Sequence, residues 1–323
     1  ADLAGRHLGV LGPDGGGDDS GGSGKGFALA AAGSATINVS RQRSKADLGD
    51  IVLDPRDPAD GGSKVNVLAL NQTHQFSGSG AGALTLAGKQ KSESSAALSG
   101  ALAYNHLMNE TDARVGNVLL RGNDLLQVQA LSAGDQIALG LGLSVATAGT
   151  DKNVAVSLSG SAAYMGNRTR ALVENSQVQQ RQAAPGQIAV NAYDRARVML
   201  GGGAFAGSKG NGGSAGGSLV VGVLANTLAA EWLGSEASNF ARMDVTAASA
   251  SRVLAGALGG AVSTGSDSGA GAGSLLTLVL ANKIQSRVDA YKPNATSPAL
   301  LSSLQGGALN LSAGTPQARR LFS

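Results

Sequence analysis

The sequence predicts an all-β fold, a right-handed parallel β-helix or solenoid. Three observations carry that prediction: a pattern recurring every 55 to 67 residues, apolar residues alternating with period two inside each unit, and a near-absence of aromatic side chains. Only ten of 323 residues are aromatic (five Phe, four Tyr, one Trp), whereas 49 are glycine. A globular core several layers deep leans on bulky rings, but a thin stacked coil is filled by Val, Leu, Ile and Ala.

The repeat consists of two interleaved series. In the first, an asparagine ends a small-apolar run: Asn38, Asn105, Asn167, Asn226 and Asn282, spaced 67, 62, 59 and 56 residues apart. The second has the form Val-x-Ala followed by a polar run, with Ala69, Ala130, Ala192 and Ala247 spaced 61, 62 and 55 apart. Both advance together, and residues 45–53 match 112–120 at a constant offset of 67. These nine residues are the structural repeat anchors.

Alternation is plain in Val65-Asn66-Val67-Leu68-Ala69 and in Val154-Ala155-Val156-Ser157-Leu158, with breaks at Gly, Asn and Asp. Strands of about five to nine residues are expected, in the usual range. Only Leu228 to Leu233 hints at a helical stripe, and it is short. Each 60-residue unit is then read as two or three coils of roughly 20 to 30 residues, giving about 13 to 16 coils and a rod roughly 60 to 80 Å long at about 4.8 Å per coil. On that reading a ladder of the asparagines would skip coils. The Gly, Asn and Asp clusters suit corners, because these residues tolerate left-handed backbone.

Other all-β architectures fit less well. Propeller blades carry aromatic and Trp-Asp positions, and sandwiches bury large anchors between their sheets, yet the chain has one tryptophan. A porin-like barrel lacks its aromatic girdles.

Residues 1–26 read as a Gly/Asp-rich lead-in, 27–314 as the repeat shaft of about five units, and 315–323 as a tail. Segments 54–64, 180–186 and 293–303 are expected to bulge as loops. The chain opens at Ala1 without the basic-then-apolar start of a signal peptide, and is read as an internal segment of a longer protein. The longest apolar stretches, 219–225 and 275–281, fall short of the roughly 20 residues of a membrane helix, so no membrane insertion is expected. With no cysteine, disulfides and thiolate chemistry are excluded. A formal charge of +3 with scattered basic residues gives no footprint for nucleic acid.

These units, a small-apolar strand ending in Asn, a Val-x-Ala strand and a Gly-Ala-rich tail, resemble the repeats of large filamentous exoproteins of Gram-negative bacteria. The likeness is to filamentous-haemagglutinin-like and leukotoxin-type adhesins of two-partner secretion, and it spans residues 27–314. It implies a β-helical shaft, export through an outer-membrane β-barrel transporter, location outside the cell or on its surface, and a role in virulence through adhesion, biofilm, haemolysis or contact-dependent toxicity. The partner would be a host or bacterial surface glycan or protein. The Asn-Pro-Asn-Gly motif of the family's secretion domain is absent, and no family catalytic or binding residue transfers to a position here.

Few residues suggest chemistry. His7, His74 and His106 lack a neighbouring acid or nucleophile at motif spacing. Asp14, Asp18 and Asp19 have neither EF-hand nor calcium β-roll spacing. Gly201 to Gly203 and Gly210 to Gly217 lack the strand, Lys-Ser/Thr and helix context of a phosphate loop, and are expected to serve packing and turns. Asp135, Asp194 and Asp244 are the candidates for a paired-carboxylate glycan-cleaving site, but their differing offsets from the anchor alanines argue against alignment. Tyr104, Tyr164, Tyr193 and Trp232 are the candidates for a carbohydrate-contacting surface. The expectation is a non-enzymatic shaft without catalytic, cofactor or metal residues, with a glycan-binding or glycan-cleaving β-helix as the alternative.

Overall fold

The computed structural model describes residues 27–54, 63–86, 94–147, 152–181, 185–289 and 304–314. His7, the Asp14, Asp18 and Asp19 cluster, segment 293–303, most of segment 54–64 and the terminal residues 1–26 and 315–323 lie outside them.

The fold is all-β, and every strand pairing is parallel. The chain winds through five flat coils, each contributing one run to sheet A and one to sheet B. In the first coil β1 (Phe27–Gly49) lies in sheet A, and β2 (Val52–Leu53) and β3 (Ser63–Leu86) in sheet B. The second holds β4 (Ser94–Gly116) and β5 (Leu119–Thr147). The third holds β6 (Asn153–Glu174), then β7 (Gln177–Gln180) and β8 (Gly186–Lys209). In the fourth, β9 (Gly212–Leu224) and β10 (Thr227–Leu233) share sheet A, and β11 (Glu236–Ser249) and β12 (Arg252–Thr264) share sheet B. The fifth has β13 (Ser268–Leu280) and β14 (Lys283–Asp289) in sheet A and β15 (Leu304–Gly314) in sheet B.

Two expectations are corrected here. The strands are not five to nine residues long: β1, β3, β4, β5, β6 and β8 run 22 to 29 residues. One repeat unit is therefore one coil, not two or three, and the described residues form five coils instead of 13 to 16. At about 3.3 Å per residue and about 4.8 Å per coil, the described residues form a slab some 75 to 95 Å along the strands and only about 24 Å along the stack. The physical reason is that Gly and Ser inside these runs do not turn the chain; they occupy extended backbone where the two sheets lie close. The Leu228–Leu233 stretch is strand β10.

The Val-x-Ala series is one column of sheet B: Ala69, Ala130, Ala192 and Ala247 stack in register and continue onto Ala313. All four anchors are buried. The asparagine series is not one column. Asn38 pairs with Asn105, but Asn105 faces Ala163, and Asn167 stacks on Asn109 instead. From there the column runs to Asn226 and Asn282 through side-chain oxygens that accept the backbone N–H of the coil before: Asn167 N to Asn226 Oδ1 at 3.2 Å and Asn226 N to Asn282 Oδ1 at 3.3 Å. The ladder joins adjacent coils rather than skipping them.

At the corner leading from sheet A to sheet B, one residue in each of the first four coils adopts left-handed backbone: Asp50 (φ 54°), Asn117 (56°), Asn175 (49°) and Gly234 (53°). Each donates its N–H to the residue preceding the same corner one coil on, as in Asp50 to Gly116 and Asn117 to Glu174. Asp, Asn and Gly are the types that enter this region cheaply.

The interior tapers. Beside this corner the sheets are held apart by Leu126, Val128, Ile188, Phe240, Met243 and Trp232, whose indole N–H donates to the Ser235 carbonyl. At the far end the fill is alanine, with Ala97, Ala146, Ala155 and Ala206 in one cluster. There the sheets approach so closely that a Cβ on Gly140 would lie 2.3 Å from the Gly160 carbonyl oxygen, and one on Gly216 2.1 Å from that of Gly260. Ordinary stacked sheets sit about 10 Å apart, so the glycines are a condition of this half of the fold.

Candidate functional surfaces

Between the thick and thin ends a belt of buried polar side chains is interleaved with an apolar cluster that includes Leu107, Met165, Val198 and Leu224. Asn38 donates to the Phe76 carbonyl at 2.7 Å and Asn105 to the Ile137 carbonyl at 2.8 Å, tying sheet A to sheet B. Asp194 lies at the centre of this belt, almost wholly buried. It accepts hydrogen bonds from Asn167 Nδ2 at 2.8 Å and Asn226 Nδ2 at 2.7 Å, one on each carboxylate oxygen. Burial pushes its carboxyl up to about 7, against the opposing pull of the bonds from Asn167 and Ser132. With Ser132 and Ser249 directly on either side in its own sheet, Asp194 is a cross-sheet clamp closed to solvent.

The three candidate carboxylates do not meet. Asp194 points inward, whereas Asp135 and Asp244 face outward on sheet B. Asp135 aligns with Arg197, and Asp244 with Ala189, eight positions further back along β8. That separates them by some 26 Å, beyond the roughly 5 to 9.5 Å span of a glycosidase pair.

The outer face of sheet A divides in two. Near the left-handed corner it carries ion pairs linking adjacent coils: Arg43 with Glu110 at 3.1 Å, Arg114 between Asp47 and Glu174, and Arg170 with Glu231 at 2.7 Å. The bond to Glu174 raises the Arg114 guanidinium further above its usual range. Exposed pairs of this kind are each worth up to about 1 kcal/mol and chiefly favour in-register stacking. Beyond them stands an aromatic group. His106 stacks on Tyr164 with ring centroids 4.8 Å apart and planes 12° apart, and Tyr104 Oη lies 3.2 Å from His106 Nδ1.

The four aromatic candidates are therefore split three ways. Tyr104 and Tyr164 share the outer face of sheet A with His106, which sequence spacing left out because its stacking partner Tyr164 is 58 residues away. Tyr193 is half-buried on sheet B, its hydroxyl pKa raised by burial and by Asp244. Trp232 belongs to the core.

On the outer face of sheet B, His74 Nδ1 lies 3.1 Å from Asp135 Oδ2. Together with Phe76, Ile137, Arg197 and Met199 they border a shallow depression of about 330 Å³. Gly201 and Gly203 give Leu139 and Leu141 room to lie across the neighbouring strand, and Gly202 faces Val220 inside. Gly210 and Gly212 take positive φ at the turn into β9. Among the described residues no cluster of three or more His, Asp or Glu is placed to hold a metal ion.

No protein-family model, curated protein or solved structure matches this chain.

Proposed function

We propose that this chain is a shaft segment of a large secreted or surface-displayed exoprotein of a Gram-negative bacterium, acting in attachment to cells or matrix. The observation that carries the reading is the continuous in-register stack of five coils, in which the alanine column runs through every coil, Asn side chains bond the third coil to the fourth and the fourth to the fifth, and Arg–Glu pairs link the first four. Such a stack is a rigid object that grows by adding coils, each contacting only its neighbours. Its end strands also present backbone groups to which a further coil can pair. The repeat resemblance to two-partner secretion adhesins points the same way, and implies an outer-membrane β-barrel transporter as export partner.

Attachment to a surface glycan is best supported at Tyr104, His106 and Tyr164. Aromatic rings of this kind offer apolar edges and hydroxyl partners to a sugar, and the Arg43–Glu110 pair lies along the same face. Glycan cleavage finds no support in the dispersed carboxylates. The test is binding of bead-coupled protein to bacterial and epithelial cells and to arrayed glycans. The expected result is retention that falls at least tenfold in a Tyr104→Ala/Tyr164→Ala variant of unchanged thermal stability, a loss of about 1.4 kcal/mol or more. No retention on any of these surfaces would overturn the attachment role.

A further inference from the structure

The thin half of sheet B turns apolar side chains outward. In β5 the residues Ile137, Leu139, Leu141, Leu143 and Val145 face solvent in succession, and Leu141 is 62% exposed. This ridge is flanked by strands rich in glycine at the same positions. In β8 the partners of Leu139, Leu141 and Val145 are Gly201, Gly203 and Gly207, while Leu143 aligns with Phe205. The outer columns of β3 and β12 complete the face with Phe76, Leu84, Leu254 and Leu258, all more than half exposed.

We infer that this face is an isologous interface joining two copies of the chain, sheet B on sheet B. A two-fold axis parallel to the strands and midway between the second and third coils brings each β5 ridge over the partner's β8. Leu139 and Leu141 of each copy, which lean across their own Gly201 and Gly203, then meet the same pair of the partner in a flat apolar layer, and Val145 lies over the partner's Gly207, where an added Cβ would meet nothing within 4 Å. The same operation pairs charges at the margin. The column His74, Asp135, Arg197, Arg252 meets itself in reverse order, so Asp135 of each copy faces Arg197 of the other.

The size is appropriate. Seven outer positions along the strands by four coils measure roughly 45 Å by 19 Å, about 850 Å² per partner, close to the roughly 800 Å² per partner of a stable interface. Within it the five apolar columns from Ile137 to Val145 cover about 600 Å², at the upper end of what monomers ordinarily leave in water, and self-complementarity is what a two-fold interface requires.

The experiment is sedimentation velocity and light scattering on the full chain at micromolar concentrations, with phosphatidylcholine and anionic phospholipid vesicles as a second readout. The wild type is expected to sediment as a dimer. Leu141→Lys is expected to be monomeric with unchanged circular dichroism and melting temperature, because the side chain is outside the core. Asp135→Arg should weaken dimerisation, and Asp135→Arg/Arg197→Asp should restore it. A wild-type monomer overturns the inference, as does a dimer that survives Leu141→Lys or an assembly that grows without limit. Vesicle binding by a monomer, lost in Leu141→Lys, overturns it too and assigns the face to lipid.

Discussion

Ala130 lies directly against Ala192 on the neighbouring coil of sheet B, both without measurable exposure, in a column that extends from Ala69 to Ala313. A larger side chain there has no room, and a charged one has no partner. Ala130→Arg or Ala192→Arg is expected to cost more than about 4 kcal/mol. Gln129→Arg, one residue away but facing outward, should stay within about 0.5 kcal/mol of the parent. Urea unfolding of the three variants checks this; equal midpoints would mean that the inward assignment is wrong.

Asp194 predicts an unusual dependence on pH. Its folded-state pKa of about 7 lies above the ordinary aspartate value of 3.8, so between these limits the folded chain binds the additional proton. The stability that Asp194 contributes is therefore greatest below about pH 4 and is lost as pH rises toward and through 7, by about 4 kcal/mol in all. Most paired carboxylates act in the opposite sense. Thermal melts of the parent should show this fall from pH 5 to pH 8, and Asp194→Asn should flatten it.

The left-handed corners make a smaller prediction. Asn117→Gly should be neutral to within a few tenths of a kcal/mol, as Gly234 already fills the same place two coils later, whereas Asn117→Ala should cost about 1 to 2 kcal/mol. Paired denaturation curves test it.

Where the sheets touch, a single methyl group should be felt. Gly140→Ala places a Cβ 2.3 Å from the Gly160 carbonyl oxygen and should destabilise by about 1 to 3 kcal/mol. At Gly100, where nothing lies within 4 Å of an added Cβ, alanine should instead stabilise by about 0.5 to 1 kcal/mol through the unfolded chain.

How far the sequence discloses this structure depends on what each residue type reports. Val-x-Ala has one inward register and no substitute, so its 61, 62 and 55 residue spacings are the pairing offsets of sheet B. Asparagine is ambiguous. Asn105 and Asn109 both face inward four residues apart, and the match of Asn105 to Asn167 joins two different columns. Strand length was hidden because glycine reads as a break, while Gly140, Gly142 and Gly216 are extended residues at which two backbones nearly touch. The carboxylates were legible only as dispersed. Their spacing relative to Ala130, Ala192 and Ala247 already disagreed, but that Asp194 alone points inward follows from the parity of its strand position. The stacking of His106 on Tyr164 had no sequence signal, since it depends on a register shift between β4 and β6 that the Asn series misstates.

The central claim is that one 60-residue unit makes one coil, and the absence of native cysteine allows it to be tested by crosslinking. Gln127 and Ala189 are register partners on the outer face, with Cα atoms about 4.8 Å apart, inside the roughly 4.4 to 6.8 Å range of a disulfide. Gln127→Cys/Ala189→Cys should oxidise quantitatively to an intramolecular bridge. Gln127→Cys/Asn191→Cys, two residues out of register at about 8 Å, should not. Free thiols in the first pair, or equal bridging in both, would contradict the single-coil repeat.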